Sequence, residues 1–104
     1  MLPPQSQYEE SAVAESRERV EEPPLFKVLL HNDDFTTMEF VVWVLESVFN
    51  MPEEQALAVM LNVHVKGVGV AGVYTYEVAE MKVEKTTALA REHEFPLLCT
   101  MEKE

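Results

Sequence analysis

The sequence predicts an α+β two-layer sandwich, with three helices on one face of a three-stranded, mostly antiparallel sheet, in the order strand, helix, helix, strand, helix, strand. Apolar residues alternate with a period of two in some short stretches and recur at helical spacing in others. Proline and glycine punctuate the joints between them. A length of 104 residues with 47% apolar content suits one domain with one modest core.

Leu25 to His31 reads as the first strand, with Phe26, Val28 and Leu30 on one face. Asn32, Asp33 and Asp34 end it, because such side chains bond their own backbone and favour turns. Thr36 or Thr37 then serves as N-cap, and Glu39 suits the positive end of the helix dipole. Val41, Val44, Leu45, Val48 and Phe49 carry this helix to about Asn50. Pro52 opens the second helix, where a missing N–H costs nothing, and Gly67 closes it. Its expected apolar face is Ala56, Leu57, Met60, Leu61, Val63 and His64. Val68 to Tyr74 is the second strand, with Gly69 and Gly72 where backbones approach closely. Thr75 caps a third helix to His93, with Val78, Ala79, Val83, Thr86 and Ala90 inward. Pro96 blocks further helix, and Leu97 to Met101 forms the last strand. The chain has no internal repeat.

Two regions differ in composition. Residues 1–24 hold four prolines, six Glu and two Arg, with few large apolar side chains. Such a segment buries too little surface to offset its ordering entropy, so it is expected to be a disordered acidic tail ahead of a core domain at 25–104. The net charge of -11 excludes nucleic acid and anionic membrane as expected partners, since phosphate contacts need Lys and Arg clusters. Basic or amine-bearing partners fit better. One cysteine, Cys99, excludes an intramolecular disulfide and a cysteine-based zinc knuckle. No apolar run reaches membrane-span length, and the N-terminus lacks a secretory pattern. The expectation is a cytoplasmic, soluble monomer.

The chemistry-bearing residues favour binding over catalysis. Asp33 and Asp34 are sequence neighbours whose carboxylates point apart in a turn, a poor general acid–base pair. His31, His64 and His93 lack the close spacing of a zinc site, and no glycine-rich phosphate loop is present. Cys99 sits in an apolar strand, the setting of an inert thiol. No metal, cofactor or catalytic residue is expected. A peptide's free α-amino group, with a pKa of about 7.7–8.0, is largely charged near neutrality and needs acceptors. Asn32, Asp33 and an unprotonated His64 supply them. Met38, Val41, Met60, Val63 and Leu97 can line a pocket for the adjoining side chain. The same features also fit a plain turn, a core histidine and solvated acidic faces. Composition and periodicity alone reach only a small α+β binding module. A competing class is a domain that docks on a ribosomal or chaperone partner through its helices, its polar loop merely structural.

Longer motifs carry the reading further: Leu30-His31-Asn32-Asp33-Asp34-Phe35-Thr36-Thr37-Met38-Glu39-Phe40-Val41, Ala58-Val59-Met60-Leu61-Asn62-Val63-His64, Gly72-Val73-Tyr74-Thr75-Tyr76-Glu77-Val78-Ala79-Glu80-Met81-Lys82, and Glu94-Phe95-Pro96-Leu97-Leu98-Cys99-Thr100. In order and spacing they resemble the ClpS family, the adaptors that deliver N-end-rule substrates to the Clp AAA+ protease. The resemblance runs from Pro23 to Glu102. It implies a non-catalytic adaptor for proteins that begin with Leu, Phe, Tyr or Trp. It implies that Asn32, Asp33 and His64 hold the substrate's α-amino group, and that Asp34 and Thr36 support the loop and the first peptide bond. Met38, Val41, Met60, Val63 and Leu97 look like the pocket walls, with Met38 as a gate against β-branched side chains. Glu77 and Lys82 resemble the surface that docks on the N-terminal domain of an unfoldase of the ClpA or ClpC type. The tail resembles the extension that engages the unfoldase during hand-off. Thr37 stands where many members have proline, Phe95 where a histidine is common, and Trp43 is unusual in the first helix.

Overall fold

A computed structural model describes residues 22–104. The expected tail, residues 1–24, lies outside the described residues apart from Glu22, Pro23 and Pro24, which are exposed and irregular. The elements are β1 (Leu25–His31), α1 (Met38–Ser47), α2 (Glu53–Lys66), β2 (Val68–Thr75), α3 (Tyr76–Glu92) and β3 (Leu98–Lys103). This is the expected order. The sheet runs β2-β1-β3, and both pairings are antiparallel.

β1 is the central strand, and its alternation sets the layers. Val28 and Leu30 are fully buried, whereas Lys27, Leu29 and His31 are only half-buried. The helices therefore cover one sheet face and leave the other open. In β2, Val28 pairs with Gly72 and Leu29 with Val70, so Ala71 forms a bulge. Gly69 lies directly beneath α2: a Cβ there would come 2.7 Å from a methyl of Val63. That close approach seats the C-terminal half of α2 against β2.

The cap residues place the helix ends. The Thr37 hydroxyl accepts the Phe40 N–H at 3.1 Å, so the N-cap of α1 is Thr37 rather than Thr36. α1 ends at Ser47, earlier than expected, because Asn50 takes a left-handed φ of 55° and the Met51 N–H returns to the Leu45 carbonyl. Pro52 is the N-cap of α2, and Gly67, at φ 88°, caps its C-terminus. Thr75 occupies the N-cap position of α3 but makes no side-chain cap bond.

Leu30, Leu45, Leu97, Val28, Val44 and Val48 anchor the core. Burying each such side chain contributes roughly 1.5–3 kcal/mol. Leu57 and Leu61, expected inward, are 42% and 52% exposed, as α2 packs through Ala56, Met60 and Val63. Val78 of α3 is likewise exposed, while Ala79, Thr86 and Ala90 face inward. Among the described residues no helix is long and apolar enough to cross a membrane.

Candidate functional site

The site begins at the end of β1. The Asn32 N–H donates to the Gly67 carbonyl at 2.9 Å, which ties the loop after β1 to the C-cap of α2. His64, in the last turn of α2, thereby comes beside the loop. Asp33 organises the turn that follows. Its Oδ1 accepts the N–H groups of Phe35 at 2.8 Å and Thr36 at 2.7 Å, and its Oδ2 accepts the Thr36 hydroxyl at 2.7 Å. Partial burial pushes the Asp33 carboxyl up. The Thr36 and Phe35 bonds and the nearby Arg91 charge outweigh this, and hold it below the ordinary 3.8.

The loop, the start of α1 and the end of α2 enclose a cavity of about 260 Å³, lined by Asn32, Asp33, Asp34, Thr36, Met38, Val41, Met60, Val63 and His64. Pockets for drug-sized ligands run roughly 300–1,000 Å³, so this one suits a single amino-acid side chain. Its chemistry is divided by depth. Asn32, Asp34 and His64 are exposed, and Asp33 and Thr36 half-buried. Val41, Met60 and Val63 are buried, and Met38 is 44% exposed. The result is an acceptor-rich mouth above an apolar floor.

Nine of the ten residues expected around one pocket line this cavity. Leu97 does not: it is 1% exposed and belongs to the core. It precedes β3, whose inward side continues the core rather than the cavity wall. Asp33 is engaged within the loop. It braces the loop, a task expected of Asp34 and Thr36, and it still has acceptor capacity, because a carboxylate offers about four lone-pair sites and three are engaged. Asp34 is exposed on the cavity lining. Two contributors escaped the sequence reading. Gly67 was legible as a helix end but not as the acceptor for Asn32. Arg91 lies far away in sequence, and its Nη1 donates to the Phe95 carbonyl at 2.6 Å.

The expected docking pair is presented unequally. Glu77 is exposed in the first turn of α3. Lys82 is half-buried, and its Nζ donates to the Val48 carbonyl at 2.6 Å. Outside the site, His31 Nε2 is 2.8 Å from the Thr100 hydroxyl on the open sheet face. Among the described residues no cluster of His, Cys, Asp or Glu is arranged to hold a metal ion. Burial pushes the Cys99 thiol up to about 11, against a small opposing effect of Thr86, so it stays protonated and unreactive at neutral pH.

Comparison with known proteins places the chain in a family. The family model described as "ATP-dependent Clp protease adaptor protein ClpS" matches residues 21–100. The chain belongs to the ClpS family. It is 60% identical over 90 residues to the ClpS adapter of Hyphomonas neptunium, covering 86% of this chain and 76% of that one. It is 55% identical over 94 residues to the ClpS adapter of Caulobacter vibrioides strain NA1000, covering 90% and 86%. Among solved structures it resembles Agrobacterium tumefaciens ClpS2 bound to L-phenylalaninamide, with TM-score 0.77 and 43% identity over 80% of this chain and 100% of that one. As a ClpS protein, the chain is an adaptor of the Clp protease.

Proposed function

We propose that this ClpS chain captures proteins through a free N-terminal Leu, Phe, Tyr or Trp and delivers them to the N-terminal domain of a Clp AAA+ unfoldase, without catalysing any step itself. The observation that carries the reading is the 260 Å³ cavity, which sets acceptors at its mouth directly above an apolar floor. A charged chain terminus needs acceptors, and a leucyl or aromatic side chain needs a dry, narrow hollow. Only the first residue of a protein offers both groups on one carbon. L-phenylalaninamide, the ligand of the Agrobacterium ClpS2 structure, has the same construction: an α-amino group, a benzyl side chain and an amide in place of the first peptide bond.

The cavity lining supports the following roles. Asn32, the remaining Oδ2 lone pair of Asp33 and an unprotonated His64 nitrogen accept the ammonium hydrogens. Thr36, bonded to Asp33, braces the turn, and Asp34 lines the cavity where the first peptide bond would pass. Met38, Val41, Met60 and Val63 surround the side chain. Charge-assisted hydrogen bonds contribute roughly 1.5–3 kcal/mol each and the buried side chain a similar amount. Less the cost of association, this corresponds to micromolar affinity, about -8 kcal/mol.

The test is fluorescence anisotropy with paired Leu- and Phe-starting peptides, free or acetylated at the N-terminus. Binding confined to the free form supports capture, and equal binding of both forms refutes it. Delivery is tested by degradation of a Leu-starting reporter by a Clp unfoldase–protease with and without this chain.

A further inference from the structure

Phe35 is 75% exposed, although it stands between Asp34 and Thr36, which both line the cavity. Its position is fixed, because its own N–H and that of Thr36 converge on Asp33 Oδ1 at 2.8 and 2.7 Å. The Phe35 backbone is therefore held beside the cavity by a braced turn, between two lining residues, and its phenyl group is left exposed. Met38, 44% exposed and three residues on, adds a second exposed apolar group beside the cavity. The other exposed residues of the mouth, Asn32, Asp34 and His64, are polar. A large apolar ring in this place lacks a role in the core and in holding the amine.

The geometry of a bound chain supplies one. With its first side chain on the cavity floor, the chain leaves over the rim. An extended chain advances about 3.3 Å per residue, so the second residue lies at the rim and not at the floor. We propose that Phe35 is a specificity-determining residue for the second position of the bound chain. Its ring packs on the side chain there and favours apolar and aromatic groups over small polar ones. This inference rests on the N-terminal capture reading. It concerns a surface continuous with the cavity, so the occupant is the captured chain itself.

The experiment measures dissociation constants of free-amine peptides beginning Leu-Phe, Leu-Leu and Leu-Ser, identical afterwards, together with an acetylated Leu-Ser control. They are measured on the full chain and on its Phe35→Ser variant, with folding of both checked by circular dichroism. The parent chain is expected to prefer Leu-Phe over Leu-Ser by roughly two- to tenfold, the range of an aromatic contact. Phe35→Ser is expected to bind the two equally. A parent chain without this preference, or a variant that keeps it, overturns the assignment, and so does a Phe35→Ser defect seen only in unfoldase delivery. Failure of the capture reading is distinguishable: Leu-Ser would then bind no better with a free amine than acetylated.

Discussion

The backbone N–H of Asn32 and the carbonyl of Gly67 meet at 2.9 Å, joining the residue that follows the central strand to the residue that ends α2. This one bond sets the distance between the acceptor loop and His64, since His64 and Gly67 share the last turn of α2. Gly67 can offer its carbonyl in that direction because its φ is 88°, a conformation that L side chains adopt at a cost. A Cβ at Gly67 would meet no atom within 4 Å, so the cost of adding one is conformational and not steric. Gly67→Ala is expected to lower stability by about 1 kcal/mol and to weaken peptide binding by more than the folded fraction explains. Urea denaturation and peptide titration on the same variant check this. Unaltered affinity in a destabilised variant would mean that the loop finds its place without the helix cap.

Asp33 should matter twice, for loop and for ligand. Its folded pKa lies below the ordinary 3.8, so its ionised form stabilises the fold fully above about pH 3.8, and that contribution is lost as pH falls through the folded value. Asp33→Asn keeps an oxygen for the two N–H groups but cannot accept the Thr36 hydroxyl through its NH₂. Its stability should therefore fall less steeply than that of the parent chain as pH drops below about 3.8, where the parent loses the Asp33 contribution. Asp33→Ala, which removes every acceptor, should lose roughly 1–2 kcal/mol of stability and at least about tenfold in peptide affinity. Parallel acid profiles for the parent chain and Asp33→Asn would show that Asp33 is not the group being titrated.

The element order was legible because each joint carries its own chemistry. Asn-Asp-Asp stops a strand, Thr37 caps a helix, and Gly67 takes a left-handed φ that a helix cannot continue through. Periodicity was less informative about which way a helix faces. α2 is apolar around much of its surface, and only its partners, α1 and β2, decide that Ala56, Met60 and Val63 turn inward while Leu57 and Leu61 do not. The residues that the motifs grouped around one pocket line a single cavity, Leu97 excepted. Leu97 was misplaced because proximity in a motif does not say on which side of the core wall a leucine ends. The bonds of Asp33 and Lys82 were out of reach, since local turn geometry and a lysine's route across the sheet-facing helices emerge only when the chain is folded.

Lys82 illustrates that last point and separates two effects in any docking experiment. Its Nζ donates to the carbonyl of Val48, the C-cap of α1, and lies 5.9 and 5.7 Å from the Phe49 and Tyr74 ring centroids. It completes the end of one helix from another. Lys82→Ala is expected to cost about 1–2 kcal/mol of stability through the lost cap and cation–π contacts. Glu77→Ala, at an exposed site, should change stability by less than about 0.5 kcal/mol. If both variants weaken binding to an isolated unfoldase N-terminal domain, only the Glu77 effect reads directly as a contact. A thermal melt of Lys82→Ala that matches the parent chain's would return Lys82 to the docking surface.

Met38 offers the sharpest test of side-chain selection, because it lies at the first position of α1, lines the cavity and remains 44% exposed. A leucyl or aromatic side chain branches beyond its β-carbon and can pass the thioether before it widens. Isoleucine and valine branch at the β-carbon, level with the mouth, where overpacking costs roughly 1–3 kcal/mol. The parent chain should therefore bind Leu-starting peptides at least about tenfold more tightly than Ile- or Val-starting ones. Met38→Ala removes the obstruction without opening the core, so its stability should stay within about 0.5 kcal/mol of the parent's. Its affinity for Ile and Val should rise while that for Leu falls slightly, since the thioether no longer covers the leucyl side chain. Titration of the matched peptides against both proteins decides the matter. If Ile and Val remain excluded after truncation, the restriction lies deeper, at Val41, Met60 or Val63, and the mouth has no part in selecting the first residue.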